Sequence, residues 1–99
     1  METNQETKID IELPSDVALG VYTNLQLITH SNTEFIIDFI QIMPGVPKAQ
    51  VRSRAILCPQ HAKRLLYALK ENIDKFEAQN GTIVDQVQNT PYINSMGQA

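Results

Sequence analysis

Cysteine occurs once, at Cys58, and glycine only four times in the 99 residues. A lone thiol excludes an internal disulfide and any multi-cysteine zinc site. With so few glycines, and neither GxxxxGK(S/T) nor GxGxxG, no phosphate-cradling loop is expected. No apolar run approaches the roughly 18 residues of a membrane-crossing helix, so no membrane association is expected. The opening METNQETKIDIE has no basic stretch followed by an apolar one, and no secretory signal is expected either. A chain this short holds one domain at most. The expectation is a small cytoplasmic domain with a marginal core, of the kind that self-association commonly supports.

Basic residues are also scarce, but only in the first half. Residues 1–47 carry Lys8 alone against seven acids, a sum of −6. Residues 48–75 carry seven bases against Glu71 and Asp74, a sum of +5, and Glu77 and Asp85 return the total to −3. Opposed halves of this kind attract each other within one fold or between subunits, or mark a basic binding face. The internal or intersubunit explanation is preferred.

What is present is alternation followed by one helical stripe. KIDIEL, Lys8–Leu13, alternates strictly and predicts a half-exposed strand, ended by Pro14. A turn or single helical turn is expected through Val17–Gly20. Val21–Thr29 predicts a second strand and His30–Thr33 a turn. Glu34–Met43 also fits a helix, with Glu34, Asp38 and Gln41 on one face. Its isoleucines and phenylalanines favour a strand. Pro44–Pro47 turns the chain into another strand, Lys48–Leu57. Cys58-Pro59 opens a helix, in which Ala62, Leu65, Leu66, Leu69, Ile73 and Phe76 form an apolar stripe. Asn80-Gly81 stops it. Thr82–Val87 is a candidate short extended piece.

If both turns preserve side-chain parity, Ile28, Ile36, Ile40, Ile42 and Ile56 share one sheet face with Asp38, Arg52 and Arg54. Val21, Leu25, Leu27, Phe35, Ile37 and Phe39 then share the other. One helix covers one face. Burying an isoleucine is worth roughly 1.5–3 kcal/mol, so five wet isoleucines would forfeit a large part of a typical stability of about 5–15 kcal/mol. A homodimer or tetramer is therefore expected, with Ile28, Ile36, Asp38, Ile40, Ile42, Arg52, Arg54 and Ile56 as the candidate interface. Asp38 is expected beside Arg52 or Arg54 as a structural pair rather than a general acid, because no second acid or nucleophile accompanies it.

Other chemistry is thin. His30 and His61 lack metal-ligand spacing, and no metal or cofactor is expected. Cys58 at a helix N-terminus has some nucleophile character in principle. No Asn or Asp is clearly placed to orient His61, so an enzyme is not expected. Lys48, Arg52, Arg54, Lys63 and Arg64 form a candidate anion-binding surface for nucleic acid or an acidic partner. The acidic balance and the lack of interleaved aromatics weigh against it.

Tyr22-x-Asn24, Thr29-His30-Ser31, Glu34-Phe35, Asp38-Phe39, Met43-Pro44-Gly45 and Pro59-x-His61-Ala62-Lys63-Arg64-Leu65 run in a distinctive order. Over about residues 9–83 the chain resembles the uncharacterised bacterial family called domain of unknown function 3467. Cys58 departs from the Ser or Thr helix cap usual there, which weakens a catalytic reading. The resemblance implies strands followed by a C-terminal helix, and no activity. A looser fold analogy is to SecB-like export chaperones.

The expectation is thus an α+β fold: an antiparallel meander of three or four strands with one long C-terminal helix packed on one face. It occupies residues 8–81, between a disordered 1–7 and a mostly disordered 82–99. The expected role is a non-catalytic oligomeric interaction or chaperone-like module, partnered by itself and by another protein, with nucleic-acid association as the alternative.

Overall fold

The computed structural model describes residues 8–85. In chain order these hold α1 (Ser15–Ala18), β1 (Leu25–His30), β2 (Phe35–Gln41), β3 (Gln50–Leu57) and α2 (Pro59–Asn80). The strands form an antiparallel meander in the order β1-β2-β3, followed by the long helix, an α+β fold. Within the expected strand Glu34–Met43, Phe35–Gln41 folds as strand where isoleucine and phenylalanine favoured it, supplying the middle strand β2. Pro59 starts α2 at a position that needs no N–H donor, and Gly81 ends it at φ 88°, a backbone state that favours glycine.

Two polar residues pin the first hairpin. The Ser31 hydroxyl oxygen accepts from the backbone N–H of Thr33 at 3.2 Å and of Glu34 at 3.3 Å. The Ser31 N–H donates to the Glu34 carbonyl at 2.9 Å, and the rings of His30 and Phe35 stack across the turn at 5.3 Å. At the other end, Asn24 extends the ladder by one rung with its side chain. Its amide nitrogen donates to the Ile42 carbonyl at 3.1 Å, and its amide oxygen accepts from the Ile42 N–H at 2.8 Å. A side-chain amide here does the work of a peptide unit, satisfying backbone groups past the strand end.

The register overturns the assumed parity. His30 pairs with Phe35 and Leu27 with Asp38, so even positions of β1 share a face with odd positions of β2. The four-residue turn at 31–34 is the cause, because directly paired residues always share a face and one residue of shift exchanges the faces. One face therefore carries Ile28, Phe35, Ile37, Phe39, Ser53, Ala55 and Leu57. The other carries Leu25, Leu27, Ile36, Asp38, Ile40, Arg54 and Ile56. A bulge between Phe39 and Ile40 skips Arg52, which stands opposite no single partner.

The buried core is very small: Ile37, Ile40 and Asp38 are the buried residues, at 8%, 7% and 6% exposure. All three lie on β2, shielded laterally by strands on both sides. This corrects the expectation of five wet isoleucines. Ile40 is buried, Ile36 and Ile42 are half-buried, and only Ile28 and Ile56 stay exposed. The helix is the larger surprise. None of its residues is buried, and Leu65, Leu66, Leu69, Ile73 and Phe76 keep 37–58% of their surface exposed. It approaches the sheet through its first turns, leaving the rest of the stripe uncovered by the described residues.

Two expected extended pieces, Lys8–Leu13 and Thr82–Val87, do not form among the described residues. Residues 8–14 have no regular structure, and Ile9, Ile11 and Leu13 are exposed. Alternation says which side of a strand would be buried, but a strand also needs a neighbour for its N–H and C=O groups. Residues 82–85 are likewise irregular, held at Ile83, whose N–H donates to the Glu77 carboxylate at 2.9 Å. The expected disordered ends, 1–7 and the chain beyond 85, lie outside the described residues.

Candidate functional site

Asp38 and Arg54 stand directly opposite each other on β2 and β3. Arg54 Nε donates to Asp38 Oδ1 at 2.5 Å and its Nη2 donates to Oδ2 at 2.8 Å, a bidentate pair. Hydrogen bonding from Arg54 holds the Asp38 carboxyl below the usual carboxylate range, against the opposing effect of burial, and the guanidinium charge adds to the lowering. The same contact raises Arg54. An acid held ionised in this way is a poor proton donor at neutral pH. It fixes register and closes a charge that would otherwise lie unpaired among Leu27, Ile36 and Ile40.

The remaining candidate bases do not converge. Arg52, at the bulge, donates to the Gln41 side chain at 2.7 Å and lines a hollow with Asp16, Val17 and Phe39. Lys63 stands on α2 beside Ile28, Phe35 and Ile37, on the face opposite Arg54. Lys48 and Arg64 are exposed. The candidate interface divides similarly. Ile36, Asp38, Ile40, Arg54 and Ile56 do share one face, with Ile42 just past the end of β2. Ile28 faces the opposite way, and Arg52 lies with Phe39 rather than with Asp38. Cys58 is exposed at the N-cap of α2 and makes no side-chain cap bond. His61 is exposed in the first turn of the helix. Among the described residues no group of three His, Cys, Asp or Glu side chains gathers, and no helix is long and apolar enough to cross a membrane.

An apolar groove of about 600 Å³ opens where α2 leaves the sheet. Ile28, Phe35 and Ile37 form its floor, and Ala62, Leu65, Leu66 and Leu69 its helical wall. Lys63 is the charged group on its rim. The stripe that signalled α2 in the sequence is the same signal that finds the helical wall. The floor could not be read there, because assumed parity had placed Ile28 on the wrong side. Asn24 was also missed as a structural residue, although it belongs to a motif.

Residues 1–85 match the family model described as protein of unknown function (DUF3467). The chain belongs to that family. No curated protein and no solved structure matches it. Asp38 of the ion pair, and Ala62 and Leu65 of the groove wall, fall on runs that carry the DUF3467 resemblance, Asp38-Phe39 and Pro59–Leu65. So do Asn24 and Ser31, whose side chains bond the backbone at the two ends of the β1–β2 ladder.

Proposed function

We propose that this chain is a non-catalytic interaction module that works as a homo-oligomer and holds another polypeptide, in a chaperone-like manner. The observation that carries this reading is the long helix that leaves its apolar stripe in solvent beside an apolar groove. Contiguous exposed apolar surface of this kind marks interaction sites. The sheet's second face adds to it, since Ile56 and Val51 are also exposed. The acid that a catalytic reading would need is tied to Arg54. The likeness in layout to SecB-like chaperones, a helix attached to a small antiparallel sheet, is an analogy of fold. The reducing cytoplasm suits an exposed, unpaired Cys58.

Nucleic-acid association is the weaker reading. Lys63 and Arg54 lie on opposite faces of the sheet, and Arg54 and Arg52 are both engaged by side chains of the chain itself. Affinity capture from native lysate, scored separately for protein and nucleic acid, distinguishes the two. Protein eluting without nuclease-sensitive material is expected. Nuclease-sensitive, salt-labile nucleic acid as the sole captured species would refute the proposal.

A further inference from the structure

The apolar positions on α2 repeat as Ala62, Leu66, Leu69, Ile73 and Phe76, alternating steps of four and three residues. That is the seam of a helix pair. Its small member stands at one end and its largest at the other, seven residues either side of Leu69. Ala62 also lines the groove between helix and sheet, where its short side chain takes up little of the space. The opposite end of the same stripe projects an exposed phenylalanine that no described residue covers.

We propose that α2 pairs antiparallel with α2 of a second copy, crossing near Leu69, so that Phe76 of the partner subunit enters the groove. The proposal rests on reading the chain as an oligomer and specifies how it assembles. Two-fold symmetry makes the contact self-complementary, each groove receiving the other's ring. Charge fits the same orientation at the two ends of the pair, while at the crossing Lys70, which donates to Asp74 at 2.9 Å, faces its own copy. Lys63, on the groove rim, follows Ala62, and Glu77 follows Phe76. When Phe76 of the partner subunit lies abreast of Ala62, Glu77 of the partner subunit comes beside Lys63. One Glu77 oxygen already accepts from the Ile83 N–H at 2.9 Å, which leaves the other for a lysine. A parallel pair would instead set Phe76 against its own copy and leave both rings outside the grooves. Antiparallel packing also opposes the two helix dipoles favourably.

Cysteine cross-linking tests this in the full-length chain. On a Cys58→Ser background, Lys63→Cys and Glu77→Cys chains carrying different tags are mixed and oxidised, and molar mass is measured in parallel by light scattering. The expected result is a dimer in which the mixed 63–77 disulfide dominates over 63–63 and 77–77. Phe76→Ala should raise the dimer dissociation constant about 30-fold or more, as loss of a central aromatic anchor does. Lys63→Glu and Glu77→Lys should each weaken the dimer severalfold, and the two combined in one chain should restore it. A dimer that yields 63–63 and 77–77 products overturns the antiparallel pairing while leaving the oligomeric reading intact. A monomer overturns both. A dimer indifferent to Phe76→Ala, or a groove occupied by a copurifying apolar small molecule, also overturns the proposal.

Discussion

Replacing Leu69 with alanine separates a protomer that stands alone from one whose helix is paired. In the single chain Leu69 keeps 55% of its surface in solvent. Full burial of a leucine is worth about 1.5–3 kcal/mol, so the covered remainder contributes about 1 kcal/mol. The groove is open, and truncation would leave no closed cavity to add to that. In the antiparallel pair Leu69 sits at the crossing and becomes core. Leu→Ala then costs about 2–5 kcal/mol per protomer, with both copies losing it together. Urea unfolding at 1 and 100 µM chain measures the difference. For a dimer the hundredfold rise in concentration adds about 2.7 kcal/mol of apparent stability. With a slope of about 1–3 kcal/mol per M, the midpoint moves by about 1–3 M. Leu69→Ala should lower stability by at least about 2 kcal/mol and weaken that concentration dependence at low micromolar chain. A midpoint that is the same at both concentrations, with a loss near 1 kcal/mol, would refute the paired helix.

Three further outcomes follow from the sheet and the helix cap. The Asp38 carboxyl is held below its unfolded value by Arg54, so its contribution is complete above the unfolded pKa of about 3.9 and fades as pH falls through the lower folded value. Acid melts of the wild type should therefore steepen below about pH 4, and Asp38→Asn, weaker at pH 7, should flatten that limb. Asn24→Ala removes two bonds to the Ile42 backbone and should cost about 1–2 kcal/mol in urea melts, with β1 amides exchanging faster by NMR. Cys58→Ser supplies a hydroxyl where the helix has no side-chain cap and should stabilise by about 0.5–1 kcal/mol; a destabilised variant would show that the thiol packs or reacts.

Much of this architecture is legible in the sequence, because alternation and a helical stripe are local signals. Glu34–Met43 reads correctly as strand because its β-branched and aromatic residues outweigh the helical spacing of Glu34, Asp38 and Gln41. Cross-strand pairing of Asp38 with an arginine is legible too. Which arginine is not, since the bulge skips Arg52 and leaves Arg54 opposite Asp38. The facing of β1 is lost for a similar reason. Turn chemistry marks His30–Thr33 as a turn without fixing its length to one residue, and that one residue moved Ile28 from the candidate interface to the groove floor. Lys8–Leu13 shows the limit of pattern itself: its alternation is strict, yet it joins neither open edge of the sheet. The groove is not written in any single segment. It arises where Ala62 on the helix meets Ile28, Phe35 and Ile37 on the sheet.

Sedimentation equilibrium of the full chain at micromolar concentration tests the requirement for a second copy most directly. The prediction is an even multiple of the 11.1 kDa chain mass, persisting at physiological salt because the contact is apolar. A single species of 11.1 kDa that unfolds cooperatively with its helix intact would contradict it.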